Sequence, residues 1–270
     1  MGTDLIHVKD EPGLSYYRAE KWKDLLEYII SMQEYSIYIW RGQSDASWEL
    51  YSGFDRLFKE KKPAEIKTAA EQHLENFKYV SRGKFDFDPA LEQSENEWWA
   101  LGQHFGLKTP LLDWSFAPFV ALYFAIHDQI DKEDIHCALW ALGGVDDICE
   151  RKRQAAQSRS GAELDETLVY RFLSKQRVNN RLISQNGLFT RAPYGVSVNG
   201  WIKDTSESVG ASGYEDLIKI ELTMNKKEIR ECVTFLNKMN INGATLFPDL
   251  SGASLLCNLA LQVDDYFTCE

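Results

Sequence analysis

The chain has 270 residues, of which 44% are hydrophobic and 26% charged, a balance typical of a globular protein with a sizeable core. Collagen-like, coiled-coil and wholly disordered classes are thereby excluded. The formal net charge of -11 excludes a global attraction to nucleic acid, so a nucleic-acid substrate would need a local basic patch. No apolar run is long enough to span a membrane and no secretory signal opens the sequence, so we expect a cytoplasmic protein without a membrane partner.

The cysteines and histidines indicate neither a disulfide framework nor a metal centre. Five cysteines are spread along the chain without a C-x-x-C pair, and the five histidines lack the spacing of zinc-binding motifs. We therefore expect reduced thiols and no metal.

Helical and extended patterns alternate through the first half of the chain. Apolar residues recur every three or four positions over 20–34 and again from Pro63, and this spacing predicts two amphipathic helices. Between them, the β-branched and aromatic residues 35–40 predict a strand that ends at Arg41-Gly42-Gln43. The segments predicted next are a helix over 95–105, an extended piece over 111–114, an apolar helix over 117–127 and a buried strand over 137–142.

The second half is less regular. Residues 146–165 are polar and weakly periodic, which predicts a loop or a poorly packed insertion. Residues 217–222 alternate as a strand before a capping-box-like helix start at Asn225-x-x-Glu228. Residues 244–247 predict a further short strand, and Ser251 is expected to cap the last helix. These patterns predict a single mixed α and β domain, with residues 1–36 as an N-terminal segment of the same unit.

The first candidate site is the string Trp40-Arg41-Gly42-Gln43 at the end of a predicted strand. An arginine at that position can turn its guanidinium into a cleft and bind phosphate or carboxylate with two hydrogen bonds. The glycine would let a ligand approach the backbone closely. The alternative is a strand-end arginine in solvent.

The second candidate site lies between Gln103 and Ser115, where polar residues are embedded among leucine, phenylalanine and tryptophan. Buried polar groups cost free energy unless they are paired, so such a string forms either a satisfied network or a ligand site. Its candidate site residues are His104, Thr109, Asp113, Trp114 and Ser115. If the string instead forms a structural network, we expect Asp113 and Ser115 to cap the following helix.

Later strings around Gln185-Asn186-Gly187 and Pro248-Asp249 are weak signals by themselves, because each fits a turn or the start of a helix. In the first, a strand could present the amide of Gln185 while Gly187 admits a ligand. A series of basic residues could supply a local surface for RNA or DNA, or form a solvated, salt-bridged helix face. Its members are Arg171, Lys175, Arg177, Arg181 and Arg191.

Taken together, these strings resemble the motifs of the FRG domain family, which is named for an aromatic-Arg-Gly motif. In chain order they are W-R-G-Q, Q-H-F-G-L-x-T-x-L-L-D-W-S followed by an A-L-Y-F-A helix, R-L-I-x-Q-x-G-L-F-T, and L-F-P-D-L-S-G. Trp40 stands where the motif has phenylalanine. The similarity runs from about Ile37 to Leu259, and residues 37–270 are therefore interpreted as an FRG-like domain.

The resemblance implies, in outline, the ADP-ribosyltransferase fold: an α+β domain with a small central sheet and surrounding helices. It implies an NAD-dependent ADP-ribosyltransferase that acts as a bacterial toxin or phage-defence effector on a macromolecule, with RNA and DNA among the candidates. NAD would be the substrate, and an antitoxin or accessory protein would be the expected partner. The alternatives are an NAD hydrolase and a non-catalytic nucleotide-binding or partner-binding module.

The resemblance also implies roles for individual residues. Arg41 corresponds to the residue that helps to hold NAD, and Thr109 to Ser115 corresponds loosely to the second motif. The glutamate of the third motif has no counterpart, and Gln185 or Asp249 would have to replace it. The catalytic candidates are Arg41, Asp113, Gln185 and Asp249. The cofactor-binding candidates are Trp40, Arg41, Gly42, Gln43, His104, Thr109, Trp114, Ser115 and Phe189.

Overall fold

A mixed eight-stranded sheet organises the described part of the chain. The structure, a computed structural model, describes residues 5–32, 38–58, 60–86, 88–157, 168–176, 180–210, 215–263 and 266. In chain order, the strands are β1 (Ile6–Glu11), β2 (Leu14–Ala19), β3 (Ile39–Gln43), β4 (Leu111–Ser115), β5 (Asp134–Leu142), β6 (Tyr170–Phe172), β7 (Gly187–Arg191) and β8 (Leu217–Asn225). Their order in the sheet is β1-β2-β8-β5-β3-β4-β7-β6. The β2–β8 pair is parallel, and the other neighbouring strands are antiparallel.

Within the described ranges, ten α-helices cover this sheet or connect its strands. They are α1 (Trp22–Ser31), α2 (Pro63–Val80), α3 (Glu95–His104), α4 (Pro118–Ile126), α5 (Val145–Gln157), α6 (Asn180–Ser184), α7 (Val198–Val209), α8 (Lys226–Lys238), α9 (Gly243–Leu246) and α10 (Leu250–Ala260). Two short 3-10 helices cover Asp55–Phe58 and Pro89–Glu92. The α+β class expected from the sequence is confirmed.

The central strands are apolar on both faces because helices pack on both sides of the sheet. On β5, Cys137 and Leu139 belong to a core shared with α1, α4 and α8, whereas Ala138 and Trp140 belong to a second core with α5 and α7. This arrangement explains why residues 137–142 form a continuous apolar run instead of alternating with polar residues. A third, smaller core packs α2 and α3 against Leu111 and Phe189.

Helix α4 lies unusually close to β3 at Gly42. A Cβ atom built on this glycine would lie 1.9 Å from the carbonyl oxygen of Ala121 and 2.7 Å from the backbone nitrogen of Ala125. The glycine is therefore required for the packing of the helix on the strand, a role that the sequence analysis did not assign to it.

Several predicted elements are wrong in type or extent. The central sheet is not small, because β1, β2, β6 and β7 add strands that no sequence pattern predicted. Residues 145–157 form α5 where a loop was predicted, and residues 158–167 lie outside the described ranges. Residues 243–246 form the helix α9 instead of a strand, because the side chain of Asn242 caps its backbone. The last helix is capped by Asp249 and not by Ser251.

Candidate functional site

The sheet splits beside Arg41, and a cavity of about 430 Å³ opens there. Strands β3 and β4 pair at a single position, Trp40 with Ser115. Beyond it the strands diverge, and residues of β3, β4, α3, α4 and α6 line the space. Its lining residues are Trp40, Arg41, Gly42, Gln43, Ser44, Trp48, Arg56, Ala100, Gln103, His104, Asp113, Trp114, Ser115, Ala121, Phe124, Arg181, Leu182, Gln185, Phe189 and Phe247.

Arg41 bridges the split between the two strands. Its Nη1 donates a hydrogen bond to the backbone carbonyl of Asp113 at 2.6 Å and lies 3.9 Å from a carboxylate oxygen of the same residue. The side chain is only 18% exposed, and its buried Nε has no hydrogen-bond partner among the described residues. Burial lowers the pKa of the guanidinium; the Asp113 carboxylate opposes this shift, and the positive charge of Arg56 adds to it.

A chain of hydrogen bonds holds the carboxylate of Asp113. Gln103 donates from Nε2 to Oδ1 of Asp113 at 2.7 Å, and the hydroxyl of Thr109 donates to the amide oxygen of Gln103. Since Thr109 is 2% exposed and Asp113 has a 60% exposed side chain, the chain runs from the interior to the cavity. Neither Asp113 nor Ser115 caps α4, whose N-cap is Ala117 without a side-chain capping bond, but the hydroxyl of Ser115 accepts a hydrogen bond from the backbone of Ala117 at 2.9 Å.

Two further arginines line the cavity, and their surroundings differ. Arg181 is paired with Asp249, with an Nη2–Oδ2 distance of 2.6 Å, and its guanidinium carbon lies 5.3 Å from the ring centroid of Phe247. Arg56 is exposed and has no ion-pair partner in the described part of the chain. Together with Arg41 and the single lining carboxylate of Asp113, these residues give the cavity an excess of positive charge.

Aromatic side chains form much of the wall. Trp40, Trp114 and Phe189, the predicted stacking residues, are only 3–4% exposed and belong to the hydrophobic cores. The indole of Trp114 also donates to Thr190 at 2.8 Å. Trp48 is 45% exposed at the cavity and is better placed to stack on a planar ligand.

Ten of the predicted site residues meet at this cavity, and two do not. Those that line it are Trp40, Arg41, Gly42, Gln43, His104, Asp113, Trp114, Ser115, Gln185 and Phe189. Thr109 is buried behind Gln103, so it can act on a ligand only through that side chain. Asp249 lies behind Arg181, and its hydrogen bonds to Ser251 and Arg181 lower the pKa of its carboxyl group. In both cases a neighbouring polar side chain occupies the space that faces the cavity.

Two lining amides are already engaged in the protein. Gln43 is 5% exposed and accepts from the indole of Trp140 at 2.7 Å. The side-chain amide of Gln185 donates to the backbone carbonyl of Leu246 at 3.1 Å, and the backbone carbonyl of Gln185 accepts from the hydroxyl of Ser115 at 2.7 Å. Gln185 follows the helix α6 and does not lie on a strand, so the predicted presentation of its amide by a strand is wrong.

Gly187 likewise serves packing. A Cβ atom at this position would lie 2.7 Å from Cδ1 of Leu182. The glycine therefore accommodates the preceding helix α6, a packing role that was not predicted from the sequence.

Four further residues line the cavity without having been predicted from the sequence: Trp48, Arg56, Phe124 and Phe247. Trp48 and Arg56 lie in the segment after β3, which has no hydrophobic period and therefore gave no signal. Gln103 belonged to the second string but was not assigned a role, although it holds Asp113 directly.

The basic series that was predicted as a local positive surface is largely paired. Arg171 contacts Asp146 at 2.7 Å, Arg181 contacts Asp249 at 2.6 Å, and Arg191 lies 3.9 Å from Glu95. Arg177 lies outside the described residues. The series therefore resembles the salt-bridged alternative more than an open cationic surface.

The described ranges contain neither a cluster of metal-ligating side chains nor a helix suited to crossing a membrane. No group of three or more histidine, cysteine, aspartate or glutamate side chains there could hold a metal ion. No helix in the same ranges combines the length and the apolar character that a membrane crossing needs.

Comparison with protein families agrees with the motif at the centre of the cavity. Residues 36–134 match the family model of the FRG domain. The matched segment is shorter than the similarity expected from the motifs, which extends to Leu259, and it contains β3, α4 and the Gln103–Asp113 pair. Comparisons with curated proteins and with solved structures gave no match.

Proposed function

We propose that the cavity binds NAD and that the protein transfers ADP-ribose from NAD to a macromolecule, as a bacterial toxin or phage-defence effector. The observation that carries the proposal is the arrangement of three arginines and one carboxylate in an aromatic-lined cavity of about 430 Å³. Cavities of about 300–1,000 Å³ are usual for small-molecule ligands. The match of residues 36–134 to the FRG domain model supports the proposal through the distant resemblance of that family to ADP-ribosyltransferases.

The arginines suit the pyrophosphate of a dinucleotide. Arg41 and Arg56 disfavour each other's charge, and an anion bound between them relieves that repulsion. Because a hydrogen bond to the backbone of β4 fixes the side chain of Arg41, its planar guanidinium is already oriented before a ligand binds. Trp48 offers an exposed ring for one of the two planar bases.

Asp113 suits the reacting ribose. When the bond between the ribose C1′ and the nicotinamide nitrogen breaks, the electron pair leaves with nicotinamide and positive charge develops on the sugar. A carboxylate held by Gln103 stabilises that charge without reorienting. The acceptor then forms its bond to C1′ with its own electron pair, and its proton passes to Asp113 or to water.

A specific observation favours a second candidate, a nucleotide-binding module without catalytic activity. No glutamate lines the cavity in the described part of the chain, and its single lining carboxylate already accepts a hydrogen bond from Gln103. Such a module would bind NAD or another nucleotide through the same arginines and leave it intact.

The fate of NAD labelled in its adenylate half distinguishes these functions. We expect the purified protein, mixed with bacterial RNA, DNA and protein, to move label into a macromolecular fraction. Asp113→Asn should reduce transfer at least about 100-fold, because an amide neither carries the charge nor accepts the proton. Asp146→Asn is the matched control, because Asp146 is an exposed aspartate on α5, and this variant should retain activity.

Two other outcomes contradict transfer. Release of free ADP-ribose at an undiminished rate without any acceptor indicates an NAD hydrolase. Intact NAD with saturable binding indicates the non-catalytic module. An expected antitoxin or accessory protein would be tested separately, by its effect on the transfer rate.

A further inference from the structure

A second concave surface lies between α1, α8 and Val263, and its charge is opposite to that of the whole chain. The groove has a volume of about 830 Å³. Five of its lining residues are basic and one is acidic, although the formal net charge of the chain is -11. Those residues are Lys23, Lys226, Lys227, Arg230, Lys238 and the acidic Glu231. We refer to this surface as the basic groove.

The positive charges of the basic groove follow one line along α8. Lys226, Arg230 and Lys238 are separated by four and eight positions, with the polar Thr234 completing the series. Residues four apart lie on the same helix face, about 6 Å apart along the axis. The groove therefore presents regularly spaced cations along a straight edge.

Only part of this charge is neutralised by the protein. Lys226 contacts Glu133 at 2.8 Å and Lys227 lies 3.8 Å from Glu231. Within the described ranges, no carboxylate forms an ion pair with Lys23, Arg230 or Lys238, although the charge of Arg230 does attract that of Glu133. The Nε of Arg230 is buried and has no hydrogen-bond partner among the described residues. Three cations are therefore available to a ligand.

We infer that the basic groove binds the phosphodiester backbone of a single-stranded nucleic acid. Protein–protein interfaces are depleted in lysine at their centre and depend on apolar anchors, whereas nucleic-acid interfaces are strongly cationic. The aromatic rings of the floor, Trp22 and Phe235, pack on each other with centroids 5.4 Å apart, and Trp22 is only 5% exposed. The groove thus offers charge and few apolar anchors.

The shape favours a single strand over a duplex. Lys23 stands on α1 and Lys238 on α8, so cations flank the groove, while Arg230 is half-buried between them. A flexible strand can enter and reach Arg230, whereas a rigid duplex would rest on the rim. The inference stands on the groove alone and does not require that the cavity binds NAD.

Fluorescence anisotropy with labelled oligothymidylate of about 12 nucleotides tests the inference without NAD. We expect saturable binding. A plot of the logarithm of the association constant against the logarithm of the salt concentration should have a slope of about -2, since three phosphates are neutralised on a single strand. Lys23→Gln/Lys238→Gln should bind at least about 10-fold more weakly and reduce the slope by about 1.4. Both side chains are exposed, so the fold is retained.

The matched control is Lys61→Gln/Lys84→Gln, which removes two exposed lysines elsewhere. This control should bind oligothymidylate with the affinity of the wild type. The groove variant, Lys23→Gln/Lys238→Gln, should bind NAD with the affinity of the wild type. Absence of oligothymidylate binding at about 50 mM salt would overturn the inference, as would equal weakening in the two double variants. Equal or tighter binding of a duplex, or binding of polyglutamate alone, would overturn it in favour of a different ligand.

Discussion

At the scale of single residues, Arg41 combines a structural contact with a binding role. Its hydrogen bond to Asp113 joins β3 to β4 where the ladder stops, and its remaining donors face the cavity. The structural role and the binding role can be separated experimentally, because lysine keeps the positive charge but lacks the planar guanidinium group.

We expect Arg41→Lys to weaken NAD binding by at least about 10-fold and to lower the free energy of unfolding by only about 1–2 kcal/mol. Calorimetric titration with NAD and urea unfolding measure the two effects. Arg153→Lys is the control: Arg153 is a partly exposed residue of α5 that pairs with Glu150 away from the cavity, and its replacement should change neither. Unchanged NAD affinity in Arg41→Lys would remove this residue from the binding site.

The two candidates to replace the glutamate of the third motif, Gln185 and Asp249, lie at different distances from the cavity. Gln185 lines the cavity, whereas Asp249 caps α10 and holds Arg181. Gln185→Ala should therefore reduce NAD affinity directly, and Asp249→Ala should lower the melting temperature together with any effect on binding. Affinity for NAD and thermal unfolding, measured on the same samples, check both. A loss of turnover in Asp249→Ala alone, with normal melting, would reverse this assignment and restore a carboxylate at the third motif.

The sequence predicted Arg41 and Asp113 because both interrupt apolar strings, which is a local signal. It could not predict the role of Gly42, since the clash that excludes a side chain comes from Ala121 on a helix 79 positions later in the chain. Nor could it predict Arg56, which lies in an irregular segment and reaches the cavity only through the tertiary fold.

At the scale of elements, the contact between β3 and α4 forms one wall of the cavity. Gly42→Ala should lower the free energy of unfolding by about 3 kcal/mol, because its Cβ would overlap the backbone of α4 and the helix would have to shift. Urea unfolding measures the change. Gly53→Ala is the control: its nearest neighbour would lie 3.6 Å from the new Cβ, and we expect a change within about 0.5 kcal/mol. Equal stability of the two variants would contradict close packing at Gly42.

The end of α4 gives the fold a dependence on pH. His127 stacks on Tyr123 with ring centroids 4.8 Å apart, and its buried Nδ1 has no partner among the described residues. Burial lowers the pKa of His127, partly opposed by the carboxylate of Asp128. The unfolded chain therefore binds a proton that the folded chain does not once the pH falls below about 6.5. Stability should fall with pH in that window, by up to about 1.4 kcal/mol per pH unit for this one group.

Urea unfolding at about pH 7 and about pH 5.5 measures this effect. The difference in free energy between the two pH values should be smaller in His127→Phe than in the wild type. Tyr123→Phe keeps both stacked rings and the imidazole, so it should retain the full difference. A pH dependence that is unchanged in His127→Phe would place its origin in other groups.

Elements were predicted well where the apolar period was strong, as in α1, α2 and β5. The pattern failed at α9, where β-branched and aromatic residues favour a strand but the Asn242 cap and the packing of Gly243 against α10 favour a helix. It also failed at the edge strand β1, whose residues are mostly exposed and therefore carry no hydrophobic alternation.

At the scale of the whole molecule, the sheet positions the cavity and the basic groove on different elements. The cavity opens at the split between β3 and β4, and the groove lies along α8, which follows β8. The α+β class followed from the alternation of helical and extended patterns. The order of the strands did not, because it depends on pairings between residues far apart in the chain, such as Leu14 with Leu217.

The cavity can also be tested for dependence on metals. We expect NAD binding and turnover to survive treatment with EDTA, because arginines supply the positive charge that a metal ion would otherwise provide. Activity before and after chelation, at constant ionic strength, measures this. Complete loss that zinc or magnesium restores would contradict a metal-free mechanism.

Calorimetric titration of NAD into the wild type and Arg56→Ala tests the central claim most directly. Arg56 is exposed, so its removal leaves the fold intact, and it is the cavity arginine without an ion-pair partner in the described part of the chain. We predict saturable binding to the wild type, at least about 10-fold weaker binding to Arg56→Ala, and unchanged binding to the exposed control Arg82→Ala. Absence of saturable binding to the wild type, or equal affinity in Arg56→Ala, would contradict an NAD site in this cavity.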